Sequence, residues 1–239
     1  MLYLFDGTEN GFLTAFIHAY RDENAVVSAR ELQIPIGETP VYVQTDEHLA
    51  QKARARFCEL DKKCLKELAL LLRSGENDCA QTAFAYLRSI ARAGRATRRN
   101  LANVDVFKAV QTLRRIGLEI HRFHGFIRFI QTASGALYAP FSPDHDICDL
   151  LLPHFKARFP EYPFVLHDVK RKKAAVYDGK NVFVAPLADA SIVVDGDENA
   201  WQALFKRYYQ AVNIPSRERL KQMRGYLPKR YEIFMPEKR

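Results

Sequence analysis

The densest run of ionisable and aromatic side chains is Glu119-Ile120-His121-Arg122-Phe123-His124-Gly125-Phe126-Ile127-Arg128-Phe129. A carboxylate beside an imidazole suits general acid–base work, and arginines suit phosphate. Glu119 and His121 are therefore acid–base candidates, and Arg122 and Arg128 are phosphate-ligand candidates. Leu166-His167-Asp168 adds a second pair, His167 and Asp168, at a strand end of the kind that faces a cleft. The competing reading of the first string is a junction salt-bridge network with a histidine near a helix C-terminus. For His167 it is a satisfied structural histidine. Neither HExxH nor a Cys/His cluster of zinc-finger spacing occurs, so no metal and no cofactor is expected.

Three other strings carry phosphate-type chemistry. Arg217 to Tyr231 interleaves cations with tyrosines, the pairing that holds phosphates and stacks bases. Arg217, Lys221 and Arg224 fall at i, i+4 and i+7 of a helix, followed by Lys229, Arg230 and Tyr231. The alternative is a solvated terminal helix with Leu220 and Met223 packed inward. A second segment, residues 80–104, holds five arginines (Arg88, Arg92, Arg95, Arg98, Arg99) and no acid. Third, Asp6-Gly7-Thr8-x-x-Gly11 sets two glycines and a hydroxyl at a strand-to-helix junction. That arrangement suits a phosphate cradle or, more simply, a tight turn with a helix cap.

Charge is unevenly spread. The chain carries a net +8, yet residues 1–60 hold 5 basic and 9 acidic groups, whereas residues 214–239 hold 8 and 3. Concentrated basic segments on a mixed chain suggest a polyanion partner. With 48% hydrophobic and 27% charged residues, the 239-residue chain is globular rather than disordered. No apolar run reaches the roughly 18 residues that cross a bilayer, and the first residues lack a basic leader. With Cys58, Cys64, Cys79 and Cys148 showing no CxxC spacing, a cytoplasmic protein with reduced thiols and no membrane contact is expected.

The elements that must position these groups follow from periodicity. Leu2–Phe5 and Val41–Val43 read as short strands. Helices fit residues 11–21, 46–60, the Leu65–Leu72 stripe, the Ala83–Ala91 stripe and 104–121, the last capped by Asn103. Residues 123–130, 136–141, 164–169, 174–177 and 182–186 read as strands, with hairpin turns at Ser134-Gly135 and Asp178-Gly179. A helix over 150–158 interrupts them, and helices over 197–212 and 217–224 close the chain. Partial segregation of strands and helices predicts an α+β fold. It is expected as one domain over 1–239, with a helical subregion near 45–121 and a mainly antiparallel, sheet-rich subregion near 122–196.

Several of these strings, in this order, resemble a bacterial family of DNA metabolism or DNA repair proteins of unknown mechanism. They are Phe5-Asp6-Gly7-Thr8, Glu119-x-His121-Arg122-Phe123-x-Gly125-Phe126-x-Arg128-Phe129, Leu137-Tyr138-Ala139, His154-Phe155, Arg158-Phe159, His167-Asp168 and Tyr177-Asp178-Gly179. Arg217, Gln222, Pro228, Arg230 and Tyr231 extend the likeness to the C-terminal segment. The chain departs from the pattern at Arg219-Leu220, where the family tends to Asn-Pro, and at Glu232, where it tends to an aromatic. The resemblance implies a DNA connection, because the domain is also found fused to uracil-DNA glycosylases and encoded beside a radical-SAM protein. Those two enzymes are the implied protein partners. The expectation is a DNA-binding accessory protein gripping nucleic acid with Arg88, Arg92, Arg98, Arg99, Arg122, Arg128, Arg217, Lys221, Arg224, Lys229, Arg230 and Tyr231. The alternatives are an enzyme acting on DNA or nucleotides through Glu119, His121, His167 and Asp168, and a scaffold whose basic face meets an acidic protein.

Overall fold

In a computed structural model the chain forms two compact units, residues 1–116 and 117–239. The structure describes residues 1–29, 39–188, 196–198, 201–204, 207 and 225–235.

The first unit opens with strand β1 (Leu2–Leu4), helix α1 (Glu9–Ala19), β2 (Val26–Ser28) and β3 (Val41–Tyr42). All pairings in this sheet are parallel, in the order β2-β1-β3. Helices α2 (Glu47–Leu60), α3 (Cys64–Leu72) and α4 (Cys79–Ala93) follow, and a short 3-10 turn spans Arg95–Arg99. Each boundary has a local cause. Thr8 caps α1 by accepting the Gly11 N–H at 2.9 Å, and Asp46 caps α2 by accepting the Leu49 N–H at 3.0 Å. Helix α4 stops at Gly94, whose φ of 67° lies in the left-handed region that favours glycine. The apolar stripes meet in one core, where Phe16 makes edge contacts with Phe57 at 5.1 Å and Phe84 at 5.5 Å.

Helix α5 (Val104–Phe126) begins in the first unit and ends in the second. Asn103 caps it, its side chain accepting the N–H groups of Asp105 and Val106. The expected strand over 123–130 is corrected here: α5 continues to Phe126, and only Ile130–Gln131 form a strand, β4. The aromatic run favours β-structure locally, but packing overrides it, with Phe123 lying 5.1 Å from Phe141 and 4.4 Å from Tyr231. The other expected strands form as β5 (Leu137–Phe141), β6 (Phe164–Asp168), β7 (Lys173–Tyr177) and β8 (Val182–Pro186).

The order is β4-β5-β6-β7-β8, and the fold is α+β as read. The sheet is mixed rather than purely antiparallel, because β5 and β6 run parallel. Parallel neighbours need a crossover, here residues 142–163 with helix α6 (Leu152–Arg158). Both hairpin signals form, with Gly135 at φ 81° and Gly179 at φ 97°. A short helix α7 (Lys229–Glu232) closes the described chain. The basic helix expected over 217–224 lies outside the described residues, as does most of the one expected over 197–212. Among the described residues no helix is long and apolar enough to cross a membrane.

The Asp6-Gly7-Thr8 turn is self-contained. The Asp6 carboxylate accepts the Thr8 N–H at 2.9 Å, the Thr8 hydroxyl at 2.7 Å and the Thr45 hydroxyl at 2.7 Å. Burial alone would raise its pKa, but these hydrogen bonds outweigh it and hold the carboxyl below its ordinary value. A Cβ at Gly11 would lie 2.1 Å from Asp6 Oδ1 and 2.9 Å from Thr45 Oγ1. Helix propensity alone favours Gly11→Ala by about 1 kcal/mol. The clash with a pinned carboxylate is expected to reverse that sign, leaving G11A about 1–3 kcal/mol less stable in urea denaturation.

Candidate functional site

The first string resolves into a buried carboxylate and its clamp. On α5, Ile116, Glu119 and Phe123 share a buried stripe at i, i+3 and i+7, so Glu119 is carried inward and is only 4% exposed. Its two oxygens accept the backbone N–H groups of Asp144 and His145, each at 2.9 Å. Tyr231 donates its hydroxyl to Glu119 at 3.0 Å, and the Arg230 guanidinium reaches Glu119 at 3.4 Å and also pairs with Asp144. Burial pushes the Tyr231 phenol well above its ordinary range, and the Glu119 charge pushes it the same way.

The second pair does similar work from the other side of the same loop. Asp168 is fully buried and accepts the N–H groups of Lys170 and Arg171 at 3.1 Å. It also takes Arg171 Nη1 at 3.0 Å. Arg171 in turn donates to the carbonyls of Pro143 and Asp144. The segment leaving β5 is therefore held by a carboxylate on its amides and a guanidinium on its carbonyls. Glu119 and Asp168, proposed from sequence as acid–base groups, have their lone pairs occupied by these bonds.

His121 is exposed on α5. The imidazole that meets another is His124, stacked on His154 of α6 with ring centroids 4.0 Å apart. Neither Nε2 atom has a hydrogen-bond partner among the described residues. Burial lowers the His124 pKa, and His154 and His121 add to the shift. His167, 3% exposed, sits between two partners: Nε2 lies 3.0 Å from the Leu187 carbonyl and Nδ1 lies 2.6 Å from the Tyr138 hydroxyl. A carbonyl only accepts, so Nε2 bears the proton and Nδ1 accepts from Tyr138. This hydroxyl–imidazole–carbonyl chain is the one catalytic-type geometry among the described candidates. Tyr138 was not among the sequence candidates, although its alternation with Pro140 and its register beside Val165 carry it to the His167 face. Among the described residues no group of three or more His, Cys, Asp and Glu is placed to hold a metal. Burial pushes the thiols of Cys64 and Cys148 up to about 11 and about 12, which makes them poor nucleophiles.

The basic candidates divide into engaged and available cations. Arg88 donates to the Asp22 carbonyl and lies over the Phe84 ring, while Arg92 pairs with Glu23. Arg98 pairs with both Asp61 and Glu67. Arg122 donates to the Gly225 carbonyl at 3.1 Å, and Arg128 to the Gly125 carbonyl at 2.9 Å. Tyr231 is buried against Phe123, so its ring is not open to a base. Arg217, Lys221 and Arg224 lie outside the described residues. Lys229 is exposed beside Arg230.

Apart from Lys229, the available candidates gather in the first unit. Arg98 ties the Arg95–Arg99 turn to the corner between α2 and α3 through Asp61 and Glu67. Arg95 and Arg99 are thereby brought to the same cavity as Lys62 and Lys63, a space of about 870 Å³. These four cations are exposed and have no ionic partner among the described residues. Sequence reading marked the arginines but not the lysines, since residues 1–60 are acidic in sum and Lys62-Lys63 follow them immediately.

The clamp makes a sharp prediction. Glu119→Gln keeps size but sets an NH₂ against a backbone N–H, so it should cost about 2–4 kcal/mol, close to Glu119→Ala. Tyr231→Phe should cost only about 1 kcal/mol by chemical denaturation. The His124 shift predicts acid sensitivity. Its lowered pKa means that the unfolded chain binds the proton more readily, so this stability is present above the ordinary histidine value of about 6.5 and is lost as pH falls through the lowered one. His124→Phe should therefore flatten the pH dependence of unfolding below about pH 6.5.

A family model described as a domain of unknown function, DUF4130, matches residues 77–237. No curated protein and no solved structure matches the chain.

Proposed function

The chain belongs to the DUF4130 family, and we propose that it is a DNA-binding accessory protein of DNA metabolism or repair that holds nucleic acid for a partner enzyme. The observation that carries this reading is a set of four cations, Lys62, Lys63, Arg95 and Arg99, around one cavity of the first unit and without an ionic partner among the described residues. An isolated surface arginine finds a carboxylate easily. Two lysines and two arginines that stay together with no carboxylate partner among the described residues form a positive potential that favours a polyanion. Two acids, Glu59 and Asp61, also line the cavity, but Asp61 is taken by Arg98 and Glu59 pairs with Arg56, so the lining keeps an excess of positive charge. The resemblance to DNA repair proteins supports DNA as the polyanion, with a radical-SAM protein or a uracil-DNA glycosylase as the enzyme served.

A second reading, an enzyme acting on DNA or a nucleotide, rests on the Tyr138–His167–Leu187 chain. In it, His167 Nδ1 would take the proton of the Tyr138 hydroxyl, leaving a phenolate on Tyr138 and an imidazolium on His167. Tyr138→Phe separates the two readings, since it should leave DNA affinity unchanged while abolishing any turnover of labelled DNA.

For the binding reading, DNA affinity should fall steeply with salt, because neutralised phosphates release condensed cations. Arg95→Gln with Arg99→Gln should weaken all sequences alike and flatten the plot of log K against log salt by about two units on duplex DNA. Titrations by fluorescence anisotropy across a salt series would measure this. A parent slope near zero, or an unchanged slope in the double variant, would count against the reading.

A further inference from the structure

We infer that the first unit receives the end of a nucleic-acid strand, with a terminal phosphate monoester in the cavity bounded by Lys62, Lys63, Arg95 and Arg99. This rests on the nucleic-acid reading above and specifies which part of the polymer the site takes. The shape of the site makes the first argument. A space of about 870 Å³ has ample room for a projecting terminal phosphate, which a strand end can insert and a continuous backbone cannot. The second argument is charge. An internal diester carries one negative charge and a terminal monoester approaches two, which better matches the four cations.

A neighbouring cavity completes the nucleotide. It has a volume of about 720 Å³ and shares Leu60 with the basic cavity. Phe16, Tyr20 and Phe57 give it an aromatic floor, Arg21 and Lys52 line it, and no carboxylate does. An apolar, aromatic space beside a cationic one fits a base and its attached phosphate. Arg98 acts here as a positioning residue: pinned by Asp61 and Glu67, it fixes the Arg95–Arg99 turn so that the flanking arginines face the lysines.

The test is binding of one single-stranded DNA oligonucleotide in three forms, with a 5′-phosphate, a 3′-phosphate, or hydroxyls at both ends, measured by anisotropy on the full chain. One phosphorylated form should bind about tenfold more tightly than the hydroxyl form. The variant Lys62→Gln/Lys63→Gln/Arg95→Gln/Arg99→Gln should lose that preference while its unfolding midpoint stays near that of the parent, since these side chains are exposed. An abasic terminal nucleotide should lower the affinity of the preferred form. Equal binding of all three forms would overturn the strand-end inference and leave the nucleic-acid reading intact. Failure to bind any form would overturn both. Inorganic phosphate competing as strongly as the phosphorylated oligonucleotide would reduce the site to one for a bare anion and overturn the strand-end assignment.

Discussion

The second unit depends on one buried carboxylate. Glu119 has left water, and a carboxylate in that position is tolerated only if its lone pairs are filled. It fills them with two consecutive backbone amides, a phenol and a guanidinium. These partners come from two distant stretches of chain, residues 144–145 and 230–231, so satisfying one charge also fixes the exit of β5 and docks α7 against α5. Arg171 and Asp168 complete the fixation by taking the carbonyls of the same loop. The parallel β5–β6 pair needs a long return path, and this clamp gives that path a defined beginning.

The first unit follows the same logic with the opposite remainder. Arg98 draws two carboxylates onto itself, and the Tyr86 hydroxyl donates to one of them at 2.7 Å. That network consumes the acids nearest the Arg95–Arg99 turn and leaves the flanking cations without neutralising neighbours. A summed charge misses this, since what a partner meets is only the charge that internal pairing has not used.

Much of the fold was legible in the sequence because its signals were local. The hairpin glycines, the Asn103 cap, the β8 limits and the helical stripes all follow from residues within a few positions of one another. What was not legible depended on distant partners. Phe123 to Phe126 belong to a helix because Phe141, Tyr231 and His154 pack against that face, and no short window reveals them. The same holds for the candidate site. Glu119 stands out as an acid among aromatics, but its occupation by the amides of residues 144 and 145 lies about 25 residues away in sequence. Its position on the Ile116–Phe123 stripe was the available hint, since an acid on a buried stripe must find donors. Lys62 and Lys63 went unmarked because the regional charge balance hid them beside an acidic segment.

The composition of the basic cavity has a consequence for titration. Its lining holds no histidine, the side chain whose ordinary pKa lies nearest neutrality. A phosphate monoester, by contrast, gains its second charge near pH 6. If the cavity takes such a monoester, its capture should strengthen as pH rises through about 6, because the guest's own ionisation supplies the second charge.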